Sequence, residues 1–131
     1  MTVMVAMGIL KARAEKADAD ALGPYGSSLS AFCGVVGHGP AGIDCRESVT
    51  VLTKSAELGD PYSMHNLAVA YRLGIGAQKS MYAAAEWYLS AAQVFIARSM
   101  REAAMAELES ALEVVPGHPK ATETLKTLIS N

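Results

Sequence analysis

The sequence predicts an all-α fold: a short α-solenoid of stacked antiparallel helical hairpins, preceded by a poorly ordered Gly-rich N-terminal region. Two observations lead to this prediction. After Asp44, helix start and stop signals alternate with apolar residues at helical spacing, and no segment alternates like a strand. In addition, residues 51–56 align with residues 87–92, a shift of 36 residues that is typical of helical-hairpin repeats.

The chain divides into two regions near residue 44. Residues 1–43 are expected to form an N-terminal helix over residues 2–21 and a flexible Gly/Ser/Pro-rich linker over residues 23–43, which contain no Asp, Glu, Lys or Arg. Residues 44–131 are expected to form the helical repeat domain. With 131 residues, of which 51% are hydrophobic, the chain is long enough for one domain with its own core.

The first helix of the repeat domain is predicted over residues 44–58. Asp44 followed by Glu47 fits a capping box, in which each side chain satisfies an unpaired backbone N–H. Gly59 suits the left-handed residue that ends a helix. Asp60 followed by Pro61 then starts a second helix, because proline is favoured at the first helical position.

Glycines end the second helix, and serines begin the next two. Gly74 and Gly76 follow an apolar stripe that includes Tyr71. Ser80 starts the third helix, and Ser99 with Glu102 forms a capping box for the fourth. A last helix is expected over residues 119–130, after the Pro-Gly-His-Pro turn. The stripe of the third helix is Ala84, Tyr88, Ala91, Ala92 and Phe95.

The middle of the chain resembles the Sel1-like repeat. That resemblance depends on Tyr71-x-x-Gly74-x-Gly76, followed by Ala84-x-x-Trp87-Tyr88-x-x-Ala91-Ala92. The sequence departs from the family pattern at Ser63, Ala68 and Ser80, where Ala, Gly and Asp are usual. The following stretch resembles the related tetratricopeptide repeat, at Tyr88, Ala92, Phe95, Ala104, Leu108, Ala111 and Pro116. Together the two resemblances cover residues 44–128 and imply a protein-binding solenoid.

No cysteine or glycine motif in the linker indicates a metal or nucleotide site. Cys33, His38 and Cys45 are spaced Cys-x4-His-x6-Cys, whereas zinc sites need four ligands with close pairs, and Asp44 is the sole further candidate. Residues 34–40 lack the Gly-Lys-Ser/Thr of a phosphate loop. We therefore expect no metal and no cofactor. A disulfide between Cys33 and Cys45 would require export of the protein.

The remaining polar residues do not form a catalytic constellation. Neither His65 nor His118 has an acid or nucleophile at a sequence spacing typical of a catalytic site, so we expect both to be structural. We accordingly expect no catalytic residues and no enzymatic activity. An acidic face is predicted on the fourth helix, either solvated or in contact with a basic partner. It consists of Glu102, Glu107, Glu109 and Glu113.

Charge and cysteine content restrict the partners and the compartment. A net charge of −2 gives no basic excess for nucleic acid, and the uncharged stretch over residues 23–43 has too many Gly and Pro residues for a membrane span. Two cysteines are too few for a disulfide framework, so we expect a reducing compartment, the cytoplasm. Export is the alternative if the apolar residues 1–10 are a signal, although no Lys or Arg precedes them.

The resemblance therefore implies a non-enzymatic scaffold or adaptor that binds a segment of a protein partner on the inner face of the solenoid. Leu89 and Ile96 lie off the apolar stripe of the third helix, so we expect them to be exposed, unless Leu89 packs on the neighbouring hairpin. The alternative function is self-association, or capping of a larger repeat assembly. The implied inner face consists of Thr50, Thr53, Glu57, Glu86, Leu89, Gln93 and Ile96.

Overall fold

The computed structural model describes residues 45–130, and these residues form an all-α fold without strands. The predicted N-terminal helix and linker, and the cap at Asp44, lie outside the described residues. The described helices are α1 (Cys45–Glu57), α2 (Pro61–Leu73), α3 (Met81–Ala97), α4 (Arg101–Val114) and α5 (Pro119–Ser130).

The starts of α2 and α3 confirm the predicted caps. The carboxylate of Asp60 accepts a hydrogen bond of 3.1 Å from the backbone N–H of Tyr62, and Pro61 occupies the first helical position. At α3, the Ser80 hydroxyl accepts a bond of 3.1 Å from the N–H of Ala83. Each cap satisfies a donor that has no partner within its own helix.

The predicted capping box of α4 is wrong. Ser99 takes a left-handed φ of 58° and belongs to the end of α3, while α4 begins at Arg101 without a side-chain cap. The backbone N–H groups of Ser99 and Met100 donate to the carbonyls of Ile96 and Phe95. This paired arrangement closes a helix C-terminus, and it leaves the Ser99 hydroxyl outside the position of an N-cap.

Helices that follow one another in sequence make the extensive contacts of the fold, and α3 lies between α2 and α4. Small side chains allow this close approach. Larger side chains, among them Leu52, Leu67, Tyr88 and Leu108, fill the remaining space and are also buried. The alanines without solvent exposure are Ala68, Ala70, Ala84, Ala85, Ala91, Ala92, Ala104, Ala111 and Ala121.

The core consists of two clusters joined by aromatic side chains. One cluster lies among α1, α2 and α3 and the start of α4, and the other lies among α2, α3, α4 and the start of α5. Tyr88 belongs to the second cluster and is buried, as the sequence predicts. Trp87 is partly buried and packs against both clusters, as does Tyr71. Consecutive residues on a helix point about 100° apart, so Trp87 and Tyr88 do not share one buried direction.

The turn between α2 and α3 packs directly on the start of α1. Gly74 ends α2 with a φ of 72°, and Gly76 follows with a φ of 75°. A side chain at Gly76 would collide with the backbone carbonyl of Cys45 and would approach Val49 to 3.2 Å. The second glycine of the Tyr-x-x-Gly-x-Gly motif is therefore required for contact with α1 as well as for its backbone angle.

Alanine substitution of two left-handed glycines separates these requirements. Gly59 has a φ of 94° with open space around it, so Gly59→Ala should cost about 1 kcal/mol from backbone strain alone. Gly76→Ala should cost roughly 2–4 kcal/mol, because α1 must also move away from the new methyl group. Urea unfolding of both variants measures the difference, and equal losses would show that the contact with Cys45 is unimportant.

Candidate functional site

The three predicted site residues of α1 lie on an accessible part of the helix. Thr50 and Glu57 are exposed, and Thr53 is partly buried. The hydroxyl of Thr50 donates to the carbonyl of Arg46 at 3.2 Å, and that of Thr53 donates to the carbonyl of Val49 at 2.6 Å. Both hydroxyl protons are therefore engaged by the backbone of their own helix.

The expectation that Leu89 is exposed is wrong. Only 3% of Leu89 is accessible, and it belongs to the core cluster that includes Leu108 and Ala121. Because α3 is covered by α2 and α4 and its turns around Glu86 and Leu89 lie near the start of α5, its buried surface extends beyond the stripe visible in the sequence. Leu89 thus packs on a neighbouring element, which was the alternative, and its side chain is not available to a partner in this structure.

Ile96 and Gln93 remain exposed on α3, and Ile96 lies at a groove. Its accessible fraction is 38%, and it lines a cavity of about 320 Å³ between the C-terminal part of α3 and α5. Leu128 supplies a second aliphatic wall. The other lining residues, all on α5, are Lys120, Glu123, Thr124 and Thr127. We call this cavity the α3–α5 groove.

Residues of α3 and α5 correspond at a constant separation along the chain. Glu86 bonds to His118, which lies 32 residues later. The same separation relates Leu89 to Ala121, which share a core cluster, and Ile96 to Leu128, which share the groove. The two helices are therefore parallel. Polar and core contacts fill the space between them near their N-termini, and the groove lies between them near their C-termini.

The His118 side chain fixes the closed end of the groove. Its Nδ1 accepts the backbone N–H of Ala121 at 3.2 Å, so this nitrogen carries no proton. Its Nε2 lies 2.7 Å from the carboxylate of Glu86 and must donate, because a carboxylate only accepts. His118 is therefore the N-terminal cap of α5 and also ties α5 to α3. Glu86, a predicted partner-binding residue, is engaged in this contact.

A second histidine–carboxylate pair joins α2 to α4. Nδ1 of His65 lies 2.8 and 3.1 Å from the two carboxylate oxygens of Glu107. This hydrogen bond raises the pKa of His65 above its ordinary value of 6.5, against the opposing effect of burial. Glu107 itself is buried, so the predicted acidic face is wrong at this position. Glu102, Glu109 and Glu113 are exposed.

Arg72 and Glu113 make another ion pair between the same two helices. The guanidinium lies 2.7 Å from the carboxylate, and both groups are partly open to solvent. Hydrogen bonds to Glu113 and to Tyr88 raise the pKa of Arg72. Polar contacts thus join α2 to α4 and α3 to α5.

The described residues do not include a cluster of three or more His, Cys, Asp or Glu side chains suited to a metal ion. Cys45 is disulfide-bonded, so its sulfur is not free to act as a ligand, and Cys33 and His38 lie outside the described residues. Within residues 45–130, no helix is long and apolar enough to cross a bilayer.

The sequence prediction missed the part of the groove that α5 provides. It derived the inner face from the first and third helices alone, whereas α5 lines the groove together with Ile96. Extending the hairpin pattern by one unit was the signal that would have included Lys120, Thr124 and Leu128.

Comparison with protein-family models, with curated proteins and with solved structures finds no match to this chain.

Polar substitution of Leu89 and Ile96 should have different consequences for stability. Leu89→Ser removes a buried aliphatic group and should lower the free energy of unfolding by about 2–5 kcal/mol, the range for core truncations. Ile96→Ser should cost less than about 1 kcal/mol, because Ile96 is partly solvated already. Thermal melts followed by circular dichroism test this difference, and a comparable loss in Ile96→Ser would place Ile96 in the core.

The His65–Glu107 pair should make stability depend on pH. Because the pKa of His65 is raised by folding, its contribution is complete below the unfolded value near 6.5 and is lost as the pH rises through the folded value. His65→Gln should therefore lower the free energy of unfolding by about 0.5–1 kcal/mol near pH 6 and by less near pH 9.

Urea unfolding at a series of pH values measures this trend. Arg72→Gln is the matched control, because it breaks the other α2–α4 pair and arginine stays protonated throughout the range. A deficit of His65→Gln that grows toward alkaline pH would contradict the assigned sign.

Proposed function

We propose that this chain is a non-enzymatic protein–protein interaction module, a scaffold or adaptor, that binds a segment of a protein partner in the α3–α5 groove. The observation that carries the proposal is the groove itself, an open cavity of about 320 Å³ with aliphatic walls from Ile96 and Leu128. Concave apolar surfaces with a few polar groups at the edge are the usual form of a binding site.

We further propose that the helices form a short solenoid of the Sel1-like and tetratricopeptide type. The packing of consecutive helices supports this architecture. The Tyr71-x-x-Gly74-x-Gly76 turn also supports it, because both glycines are left-handed and the second contacts α1. In such an array, α1, α3 and α5 are the first helices of successive hairpins and contribute to one inner face, which includes Thr50, Thr53, Glu57 and Gln93.

The chemistry of the groove defines the partner segment that suits it. Ile96 and Leu128 favour an aliphatic side chain, and its burial would supply most of the affinity. Lys120 and Glu123 make no ion pair with another described side chain, so both charges remain available at the edge. We therefore propose a segment with an aliphatic anchor flanked by charges of both signs.

Selection from a random peptide library on the immobilised full chain tests the proposal. Ile96→Asp should lower the affinity for the enriched peptides at least about tenfold, because it places a charge against the aliphatic anchor of the peptide. Leu73→Asp is the matched control, since Leu73 is an exposed leucine (59% accessible) at the end of α2 and outside the groove. The control should bind like the wild type.

Two outcomes would contradict the proposal. Enriched peptides that bind Ile96→Asp and the wild type equally would show that the site is elsewhere. Failure to enrich any peptide would show that the groove does not recognise a linear segment. Circular dichroism of both variants verifies that each is folded before binding is compared.

Self-association is the second candidate function. Ala121 is the sole buried residue of α5, and Ile129 is 58% accessible near its C-terminal end. A second copy that packs on this helix would cover its remaining apolar side chains. Sedimentation velocity over a hundredfold concentration range separates the candidates: association that Ile129→Glu abolishes supports self-association, whereas a monomer at every concentration argues against it.

The disulfide at Cys45 indicates in which cellular compartment the protein resides. Disulfides form and persist in oxidising compartments, so this bond favours export over the predicted cytoplasmic location. Alkylation of protein from its source cells, with and without reduction, tests the assignment. Labelling of Cys45 without prior reduction would support the cytoplasmic alternative.

A further inference from the structure

We propose that protonation of His118 changes the position of α5 relative to α3 and thereby alters the α3–α5 groove. Such a change would regulate partner binding, provided that the groove is the binding site proposed above. The proposal follows from three features: the hydrogen bonds of a buried histidine, the groups that surround this histidine, and the weak burial of the helix that it caps.

The observed contacts of His118 accommodate the neutral ring alone. Its side chain is 7% accessible, and both ring nitrogens are engaged. Nε2 donates its proton to Glu86, and the lone pair of Nδ1 accepts the N–H of Ala121. A second proton can bind only at Nδ1, which is the nitrogen that caps α5.

Protonation at Nδ1 replaces this cap with two opposed N–H donors. The backbone N–H of Ala121 loses its acceptor, and a positive charge appears at the N-terminus of α5, where the helix dipole is already positive. The ring must then separate from Ala121, although its attraction to Glu86 persists. The bond to Glu86 and the cap on α5 therefore no longer act together.

The other groups near His118 do not provide a substitute for the lost acceptor. From α3, Glu86 occupies Nε2, and the Tyr82 ring lies against the imidazole with centroids 6.0 Å apart. From the end of α4, the carbonyl of Val115 already accepts the backbone N–H of His118. Among the described residues, neither Glu113, which pairs with Arg72, nor the cationic Lys120 makes a hydrogen bond or ion pair with His118.

Among the described helices, α5 has the fewest contacts to resist displacement. Its single buried residue is Ala121, which lies beside the cap. Its extensive packing is with α4, whereas toward α3 it borders the groove at Ile96 and Leu128. A shift at the capped end is therefore expected to change the distance between these two side chains.

Methyl NMR of the full chain tests the inference without a partner. In the wild type, the Ile96 and Leu128 methyl resonances should shift as the pH is lowered, together with the resonances of the His118 ring. His118→Asn should abolish that response, because asparagine caps a helix but does not titrate. His65→Gln and His38→Gln should retain it, which separates His118 from the other two histidines of the chain.

The inference is overturned if the two methyl resonances do not shift with pH in the wild type, or if they still shift with pH in His118→Asn. The wild-type titration decides by itself if the variant does not fold. Because no peptide is present, a negative result here leaves the proposed binding function standing, and failure of peptide selection leaves this measurement unaffected.

Discussion

The packing of α3 between α2 and α4 is the constraint on which the rest of the fold depends. A helix that is covered on two sides needs small residues on both, and Ala84, Ala85, Ala91 and Ala92 on α3 have no solvent exposure. Close approach of the backbones leaves little space for adjustment, so one large side chain, Tyr88, fills much of what remains. The positions of α2 and α4 on α3 in turn determine where α1 and α5 can pack.

Polar pairs complement this apolar packing by joining helices that are not consecutive. His65 with Glu107 and Arg72 with Glu113 connect α2 to α4, and His118 with Glu86 connects α3 to α5. Hydrophobic burial is nondirectional, whereas a hydrogen bond fixes two atoms relative to each other. The apolar core therefore holds neighbouring helices together, and the polar pairs specify the orientation of α2 relative to α4 and of α3 relative to α5.

Local signals in the sequence were sufficient to predict the described helices, although the predicted cap of α4 at Ser99 is wrong. They did not predict burial that depends on tertiary contacts. Asp60 and Ser80 cap helices because capping involves atoms only two or three residues away. Burial of Leu89 and Glu107 depends on neighbours far along the chain, so a single apolar stripe could not reveal it. The groove was missed in part because its second wall comes from α5.

The order of contacts along the chain also has a consequence for entropy. Since extensive packing joins only helices that are adjacent in sequence, most of this packing can form by closing a short loop. The extensive packing therefore forms between neighbouring helices, whereas the His65–Glu107 and Arg72–Glu113 pairs bring together residues 42 and 41 positions apart. The loss of conformational freedom on packing is therefore divided among successive helix pairs, and burial at each pair offsets part of it.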